Sequence, residues 1–385
     1  MLRRKLILSL IPFCSMYACV DVADIHTERH DARVDFTFES IDAVSSRATV
    51  STTATLDRIG VFGYSHALTA GWSGTTASAL IPDYFLNKMV VKKSGNWGYD
   101  GVTKYWPDAA RSVSFFAYAP YVDNQTTFVV YPQAAAETGS PTIAYTVPVD
   151  VAEQTDLLYG VQLDQVYGTN AGTVAFSMKH ALACVDISVR LNPGTGGGDT
   201  GDQARPFMVA VDEIHVDSVI PGGTLTLAPV GANPAGTWVA PIPAALSALK
   251  LYKLRPSNGL DATQLLFDAR QTATDFTYRT LNATPDGHWL FIPQTLSKTV
   301  AGTPSPVMLF VHYTVTSLTT GLSEARVASF DLSASGNGKW EAGQAYNYQI
   351  TLSATKGAKL ELKVANFEVG GSIEWTTGAS TSVNI

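Results

Sequence analysis

Alternating apolar and polar residues constrain the fold of this chain more than any other feature. In RVDFTFES, Val34, Phe36 and Phe38 alternate with polar residues. Because successive side chains of a strand point to opposite faces, this run predicts a strand with one buried face. Similar short runs, rich in β-branched and aromatic residues and bounded by Gly, Pro, Asn or Asp, recur along the chain. Strands at this spacing are typical of β-sandwiches.

Helical signals are weak. The two best candidates are ASALIPDYFLNKMVV, which Pro82 interrupts, and PAALSALKLYKL, in which PAALSALKL is equally compatible with a strand followed by a loop. The fold class predicted from pattern alone is therefore all-β.

The chain of 385 residues is long enough for two or three domains. Residues 147–173 are polar and turn-rich and lie between two strand-dense blocks, which predicts a domain boundary near residue 168. The expected organisation is a leader at 1–18, a tether and first strand at 19–47, and domains at 48–168 and 169–385.

Charge and cysteine content exclude several classes of protein. The net charge of −7 argues against a nucleic-acid partner, which would require clustered Lys and Arg. The three cysteines lie at positions 14, 19 and 184, so the body of the chain has no disulfide framework. Cys184 lies in the apolar stretch HALACVDISV and is expected to be a small buried residue.

The N-terminus resembles an export signal. Arg3, Arg4 and Lys5 precede a short apolar run at 6–13, and Ala18 is a small residue before a possible cleavage point. A permanent transmembrane helix needs about 20 apolar residues, and this run is shorter. The pattern predicts a protein that works outside the cytoplasm.

Two cleavage patterns compete at this signal. An ordinary signal peptidase requires small residues at −3 and −1, whereas Met16-Tyr17-Ala18-Cys19 is closer to the lipobox of a lipoprotein. We favour lipidation at Cys19, with a membrane anchor as the consequence. Each buried CH₂ of an acyl chain contributes about 0.8 kcal/mol to membrane binding, so several chains hold firmly.

No catalytic, cofactor or metal site is predicted. GTGGGDTG lacks the Gly-Lys-Ser/Thr of a phosphate loop, and no Gly-x-Ser-x-Gly occurs. His26 and His30 are spaced for zinc on a helix, but no third ligand is near. Asp212 and Glu213 are adjacent on a predicted strand and are expected to face opposite sides.

One alternative function rests on aromatic residues. Exposed aromatics on a sandwich often bind sugars, which makes a monomeric, surface-anchored carbohydrate-binding module the second hypothesis. The competing interpretation is packing in a core or an interface. The residues concerned lie within one stretch: Trp72, Trp97, Tyr99, Tyr105 and Trp106.

Several segments together resemble the fimbrillin-like (Mfa-like) family, the type V fimbria subunit lipoproteins of Bacteroides-type bacteria. The similar segments cover most of the chain and follow the family's order: RIGVFGY, NWGYDGVTKYWPDAARSVSFFAYAPY, TDLLYG, VAFSMKHALACVDISVRL, WLFIPQTLS, KWEAGQAYNYQITL and EWTTG.

The resemblance implies two tandem transthyretin-like β-sandwich domains and a structural role in a fimbrium that supports adhesion. It also implies an assembly route in which an arginine-specific protease removes the lipidated N-terminal segment with its first strand. A strand from another fimbrial subunit then fills the groove that is left. The host or bacterial adhesion target is not implied.

The residues offer candidates for each step. The displaced strand contains Val34, Phe36 and Phe38, and Arg47–Ala48 is the preferred cleavage site, because cleavage at Arg29 or Arg33 would not release that strand. The donor is expected at the C-terminus, where the candidate side chains are Ile373, Trp375, Val383 and Ile385. Only ten residues follow Trp375, so a stalk, tip or anchor role stays open.

Overall fold

The computed structural model describes residues 32–38, 56–72, 78–123, 128–169, 172–194, 201–254, 266–270, 275–281, 288–354, 357–366 and 383–384. Across these ranges the chain forms β-strands and short 3₁₀ helices and no α-helix, and none of its helices could cross a bilayer. The 3₁₀ helices are Val151–Glu153, Tyr167–Thr169, Leu246–Ala248 and Leu332–Ala334.

The strands are, in chain order, β1 (Asp35–Phe38), β2 (Arg58–Ala67), β3 (Phe85–Lys93), β4 (Asn96–Gly98), β5 (Arg111–Ala119), β6 (Phe128–Tyr131), β7 (Thr142–Thr146), β8 (Leu158–Gln165), β9 (Thr173–Phe176), β10 (Lys179–His180), β11 (Ala183–Leu191), β12 (Phe207–Val219), β13 (Gly222–Thr226), β14 (Thr237–Val239), β15 (Lys250–Leu254), β16 (Leu266–Asp268), β17 (Arg279–Thr280), β18 (Trp289–Phe291), β19 (Gln294–Thr295), β20 (Thr299–Val300), β21 (Thr303–Pro304), β22 (Met308–Ser317), β23 (Ser323–Asp331), β24 (Lys339–Trp340), β25 (Gln344–Ser353), β26 (Gly357–Asn366) and β27 (Val383–Asn384).

An antiparallel six-stranded sheet, in the order β10-β8-β5-β2-β3-β4, organises the N-terminal half. Its central strands β2 and β5 are buried on both faces, which explains their nearly continuous apolar sequences. On one face lies the β1–β9 pair. On the other lies a sheet in the order β14-β13-β7-β6, where the rings of Tyr118 and Phe128 meet edge to face with centroids 6.0 Å apart.

Two further sheets form the sandwich of the C-terminal half. One has the order β17-β11-β25-β26-β27, with β18 also paired to β11, and the other has the order β15-β12-β22-β23, with β16 paired to β12. Tyr252 of β15 meets Phe291 of β18 at 4.9 Å, and Phe291 stacks on Trp340 at 4.6 Å. Their aromatic rings fill the space between the two sheets.

These sheets confirm the predicted all-β class of tandem sandwiches. Several contacts link the two halves: β7 pairs with β13, and strands β9 and β10, which follow residue 168, pair with β1 and β8. The boundary near residue 168 stays a prediction.

Three local expectations have clear outcomes. ASALIPDYFLNKMVV is not helical, because its second half is strand β3, whereas PAALSALKLYKL forms a 3₁₀ turn followed by β15. Cys184 is fully buried, as predicted, and burial raises the pKa of its thiol.

The expected opposition of Asp212 and Glu213 is wrong. A register shift between Val211 and Glu213 makes Asp212 an extra residue in β12, so Val211 and Ile214 both enter the core. Asp212 and Glu213 therefore both stay out of that core, because a bulge interrupts the alternation of a regular strand.

Candidate functional site at the first strand

Within the described residues, strand β1 pairs in one parallel ladder with β9. The register pairs Asp35 with Thr173, Phe36 with Val174, and Phe38 with Phe176. Just before the strand, the Val34 amide donates to the Lys104 carbonyl at 2.9 Å. Among the described residues, β1 and β9 form a sheet of two strands, so the other edge of β1 has no ladder partner.

The side chains of this segment alternate as the sequence predicts. Val34, Phe36 and Phe38 are 0%, 2% and 7% exposed, whereas Asp35 and Thr37 face solvent. The predicted strand is therefore confirmed with its predicted buried face. The apolar side chains of residues 34–38 therefore all point into the protein.

Phe36 lies at the centre of an aromatic pocket. Its ring centroid is 5.6 Å from that of Phe85, 6.0 Å from Tyr99, 5.7 Å from Phe115 and 6.1 Å from Phe176. Edge-to-face and offset pairs at these distances each add about 0.5–1.5 kcal/mol beyond area burial. Four such contacts make Phe36 the principal anchor of β1.

Phe38 closes the end of the same pocket. Its ring meets Trp97 at 4.6 Å and stacks on Phe176 at 5.3 Å. Trp97 belongs to β4, the edge strand of the six-stranded sheet, so Phe38 connects that edge to β9.

The pocket has its own hydrophobic cluster, separate from the main core. The six-stranded sheet divides the two: Phe115 and Ala117 of β5 point towards β1, whereas Phe116 and Tyr118 point into the main core. Loss of β1 would uncover the first cluster and leave the second in place. The residues that line the β1 side include Ile59, Val61, Phe85, Val90, Tyr99, Val113, Leu158, Val174 and Met178.

An open cleft of about 420 Å³ runs along the unpaired edge of β1. It lies between Thr37 of β1 and the hairpin of β3 and β4, where Lys92, Asn96 and Trp97 line it. The first strand is consequently reachable from solvent along one side.

The N-terminal end of β1 is held by polar contacts. The Arg33 guanidinium lies 4.4 Å above the Tyr99 ring and donates to the Tyr99 carbonyl at 3.2 Å, and its Nε is 3.0 Å from Asp35 Oδ1. Burial raises the pKa of the Tyr99 phenol. Trp106 Nε1 donates to the Gly172 carbonyl at 2.9 Å, which fixes the chain directly before β9.

The C-terminal candidates are only partly within the described chain. Val383 belongs to β27, which pairs with Leu360 of β26 at the edge of its sheet; Ile373, Trp375 and Ile385 lie outside the described residues. So do Cys19, Arg47 and Ala48. Upstream, Leu360 and Leu362 are buried in the main core.

The five aromatics of the carbohydrate hypothesis do not share an exposed face. Trp106 and Tyr99 are 5% and 7% exposed, Trp97 packs on Phe38, and Trp72 packs on Phe116 at 4.7 Å. Tyr105 is 53% exposed. The geometry favours the packing interpretation of this cluster.

The pairing of β1 with β9 was not visible in the sequence. In the sequence, TVAF belongs to one long apolar run, TVAFSMKHALACVDISVRL, on the C-terminal side of residue 168, but the structure divides that run into β9, β10 and β11. Parallel pairing across so long a separation leaves no local signal, because it depends on the packing of the intervening sheet.

Comparisons with known proteins agree with this architecture. A family model described as fimbrillin-like matches residues 46–366. The fimbrium subunit Fim1C of Phocaeicola vulgatus is 31% identical over 169 residues, which cover 40% of this chain and 43% of that protein. The chain thus aligns with less than half the length of this relative.

A crystal structure of a fimbrial protein from Bacteroides vulgatus has a TM-score of 0.66 at 19% identity, covering 88% of this chain and 100% of that one. At this identity the similarity establishes a shared fold.

Proposed function

The chain belongs to the fimbrillin-like family, and we propose that it is a structural subunit of a cell-surface fimbrium that assembles by strand exchange at the β1 pocket. The observation that carries the proposal is the aromatic pocket around Phe36, filled by a four-residue strand with one ladder partner. Such a strand is separable from the sheet below it.

Removal of β1 would create a strong binding site. Three apolar side chains would leave their pocket, each contributing roughly 1.5–3 kcal/mol through burial. The β9 edge would lose its ladder partner at Thr173–Phe176. An exposed strand edge beside an empty apolar groove is the arrangement that favours addition of a strand from another chain.

We place the cleavage at Arg47–Ala48, after the strand, because cleavage there separates β1 from the rest of the chain. Arg33 is a poorer site, since it precedes β1 and its guanidinium is held by Tyr99 and Asp35. The same cleavage would discard Cys19, which we propose is lipidated and anchors the precursor to the outer membrane.

We place the donor at the C-terminus. Ile373 and Trp375 are two residues apart in the sequence, and so are Val383 and Ile385. Phe36 and Phe38 have the same spacing, so either pair could occupy the space that these two rings fill. The edge position of β27, paired with β26 only at Lys359 and Leu360 among the described residues, supports release of this segment from its own sheet.

The first test treats purified precursor with a trypsin-like, arginine-specific protease. N-terminal sequencing should give a new start at Ala48, and the product should form polymers that resist mild detergent. Arg47→Ala should stay uncut and monomeric, whereas Arg29→Ala, the matched control at an arginine that precedes the strand, should behave as wild type. Polymerisation of the Arg47→Ala protein without loss of β1 would contradict the proposal.

A second test addresses the donor. A chain ending after Ser372, which lacks both candidate pairs, should accept a strand but donate poorly, so it should terminate polymers when mixed with cleaved wild type. A synthetic peptide of residues 373–385 should compete with polymerisation. Polymers of undiminished length in both experiments would exclude the C-terminal donor.

A further inference from the structure

A group of metal-binding side chains lies on the outward face of the sheet formed by β15, β12, β22 and β23. Glu213 and His215 come from β12, and His312 comes from the neighbouring strand β22. One potential ligand atom from each of the three lies within 4.8 Å of the other two. This group is far in sequence from β1.

The bulge at Asp212 creates the group. Without it, Glu213 and His215 would share a face with Val211, which is buried in the core. The extra residue reverses the alternation, so Ile214 and Val216 point inwards and Glu213 and His215 point outwards. The shifted register also sets Glu213 directly opposite His312.

His312 has an unsatisfied nitrogen. Its Nε2 is shielded from solvent and has no hydrogen-bond partner among the described residues. Buried polar atoms are usually paired, so a buried nitrogen without a partner calls for an explanation such as a bound ion. A bound metal ion would give this nitrogen a partner.

The rings are held in place by stacking. His215 lies against Phe310 with centroids 4.7 Å apart and an interplanar angle of 27°, and its centroid is 5.1 Å from that of His312. Rigid neighbours reduce the conformational cost of binding, because the two imidazoles are already close together.

Lys253 and His215 hold the Glu213 carboxylate. Lys253 Nζ donates to Glu213 Oε1 at 2.9 Å, and His215 Nδ1 lies 3.1 Å from the same oxygen. Partners of this kind orient ligating carboxylates and histidines in metal sites. The side chains of Glu213 and His215 are 19% and 12% exposed, so an ion can reach them from solvent.

We propose that Glu213, His215 and His312 bind one Zn²⁺ ion. Two imidazoles and one carboxylate are a known zinc ligand set, and they leave one position of a tetrahedral shell for water. Ni²⁺ and Cu²⁺ are expected to bind the same donors, because imidazole suits all three ions.

The test measures Zn²⁺ binding by calorimetry on the full chain, in a His26→Ala/His30→Ala background that removes the other histidine pair. One ion per chain is expected. His312→Ala and the isosteric Glu213→Gln should each weaken binding at least tenfold while circular dichroism stays unchanged. Co²⁺ in the site should give the absorption of a tetrahedral nitrogen and oxygen shell.

The matched control is His288→Ala, which alters the second histidine group, formed with Cys184 and Asp186. It should leave Zn²⁺ affinity unchanged. Absence of micromolar Zn²⁺ binding, or binding that His288→Ala abolishes and Glu213→Gln does not alter, would overturn the proposal. A Co²⁺ spectrum with thiolate charge transfer would place the ion at Cys184 instead.

Discussion

Phe38 lies directly opposite Phe176 in the parallel ladder of β1 and β9, and the two rings stack with centroids 5.3 Å apart and an interplanar angle of 12°. One residue pair therefore combines backbone pairing with side-chain packing. Another strand that places an aromatic or large aliphatic residue at the position of Phe38 would also pack on Phe176 and pair with β9.

Removal of the Phe36 ring should weaken the packing of β1 in its pocket. Phe36→Ala removes a ring that is 2% exposed and touches four aromatic rings, and a change of this kind costs about 3–5 kcal/mol. The melting temperature of the precursor should fall, and amides of β9 should exchange hydrogen faster. Thr37→Ala, on the exposed face of the same strand, should change neither quantity.

A methyl group at Gly60 should not fit. A Cβ there would lie 2.1 Å from Cε1 of Tyr118, whose hydroxyl donates to Asn87 Oδ1 at 2.6 Å. Gly60→Ala should therefore destabilise the chain by roughly 1–3 kcal/mol in a denaturant titration, as overpacked cores do. Gly98→Ala, where nothing lies within 4 Å, is the control, and equal losses at both positions would refute the steric explanation.

The buried pair of His180 and Asp156 should matter for stability. His180 Nδ1 lies 3.0 Å from a carboxylate oxygen of Asp156, and both side chains are fully buried. His180→Ala should cost about 3–5 kcal/mol, the range for a broken buried pair. Lys93→Ala, which breaks the exposed pair with Asp100, should cost less than about 1 kcal/mol.

Lys298 should make stability depend on pH. Burial lowers the pKa of its amine to about 8 from 10.5, and Nζ has no hydrogen-bond partner within the described chain. Below pH 8 the folded state carries the cost of a buried charge. Between pH 8 and 10.5 the unfolded chain binds more protons, so this group increases stability as pH rises.

Lys298→Met should consequently raise the melting temperature at pH 7, by an amount equivalent to roughly 1–3 kcal/mol. The difference between variant and wild type should shrink as pH increases towards 10. Lys339→Met, at a half-exposed lysine paired with Glu341, should show no such trend. A difference that stays constant with pH would contradict the role assigned to Lys298.

The alternation of apolar and polar residues in the sequence was enough to predict much of the strand structure. The two-residue period at Val34, Phe36 and Phe38 predicted a strand and its buried face, because successive side chains of a regular strand point to opposite faces. Family resemblance, carried by aromatic and glycine positions spread over the chain, predicted the tandem sandwiches.

Tertiary structure decided which strands meet and in which register. Nothing near Phe36 indicates that β9 is its partner, and nothing near Asp212 indicates the bulge that brings Glu213, His215 and His312 together. Pairing and register depend on packing between distant segments, whose energies no short stretch contains. The sequence by itself determined which side chains are apolar and how they alternate. Only the folded chain determined that Phe38 stacks on Phe176 and that two histidines lie beside one carboxylate.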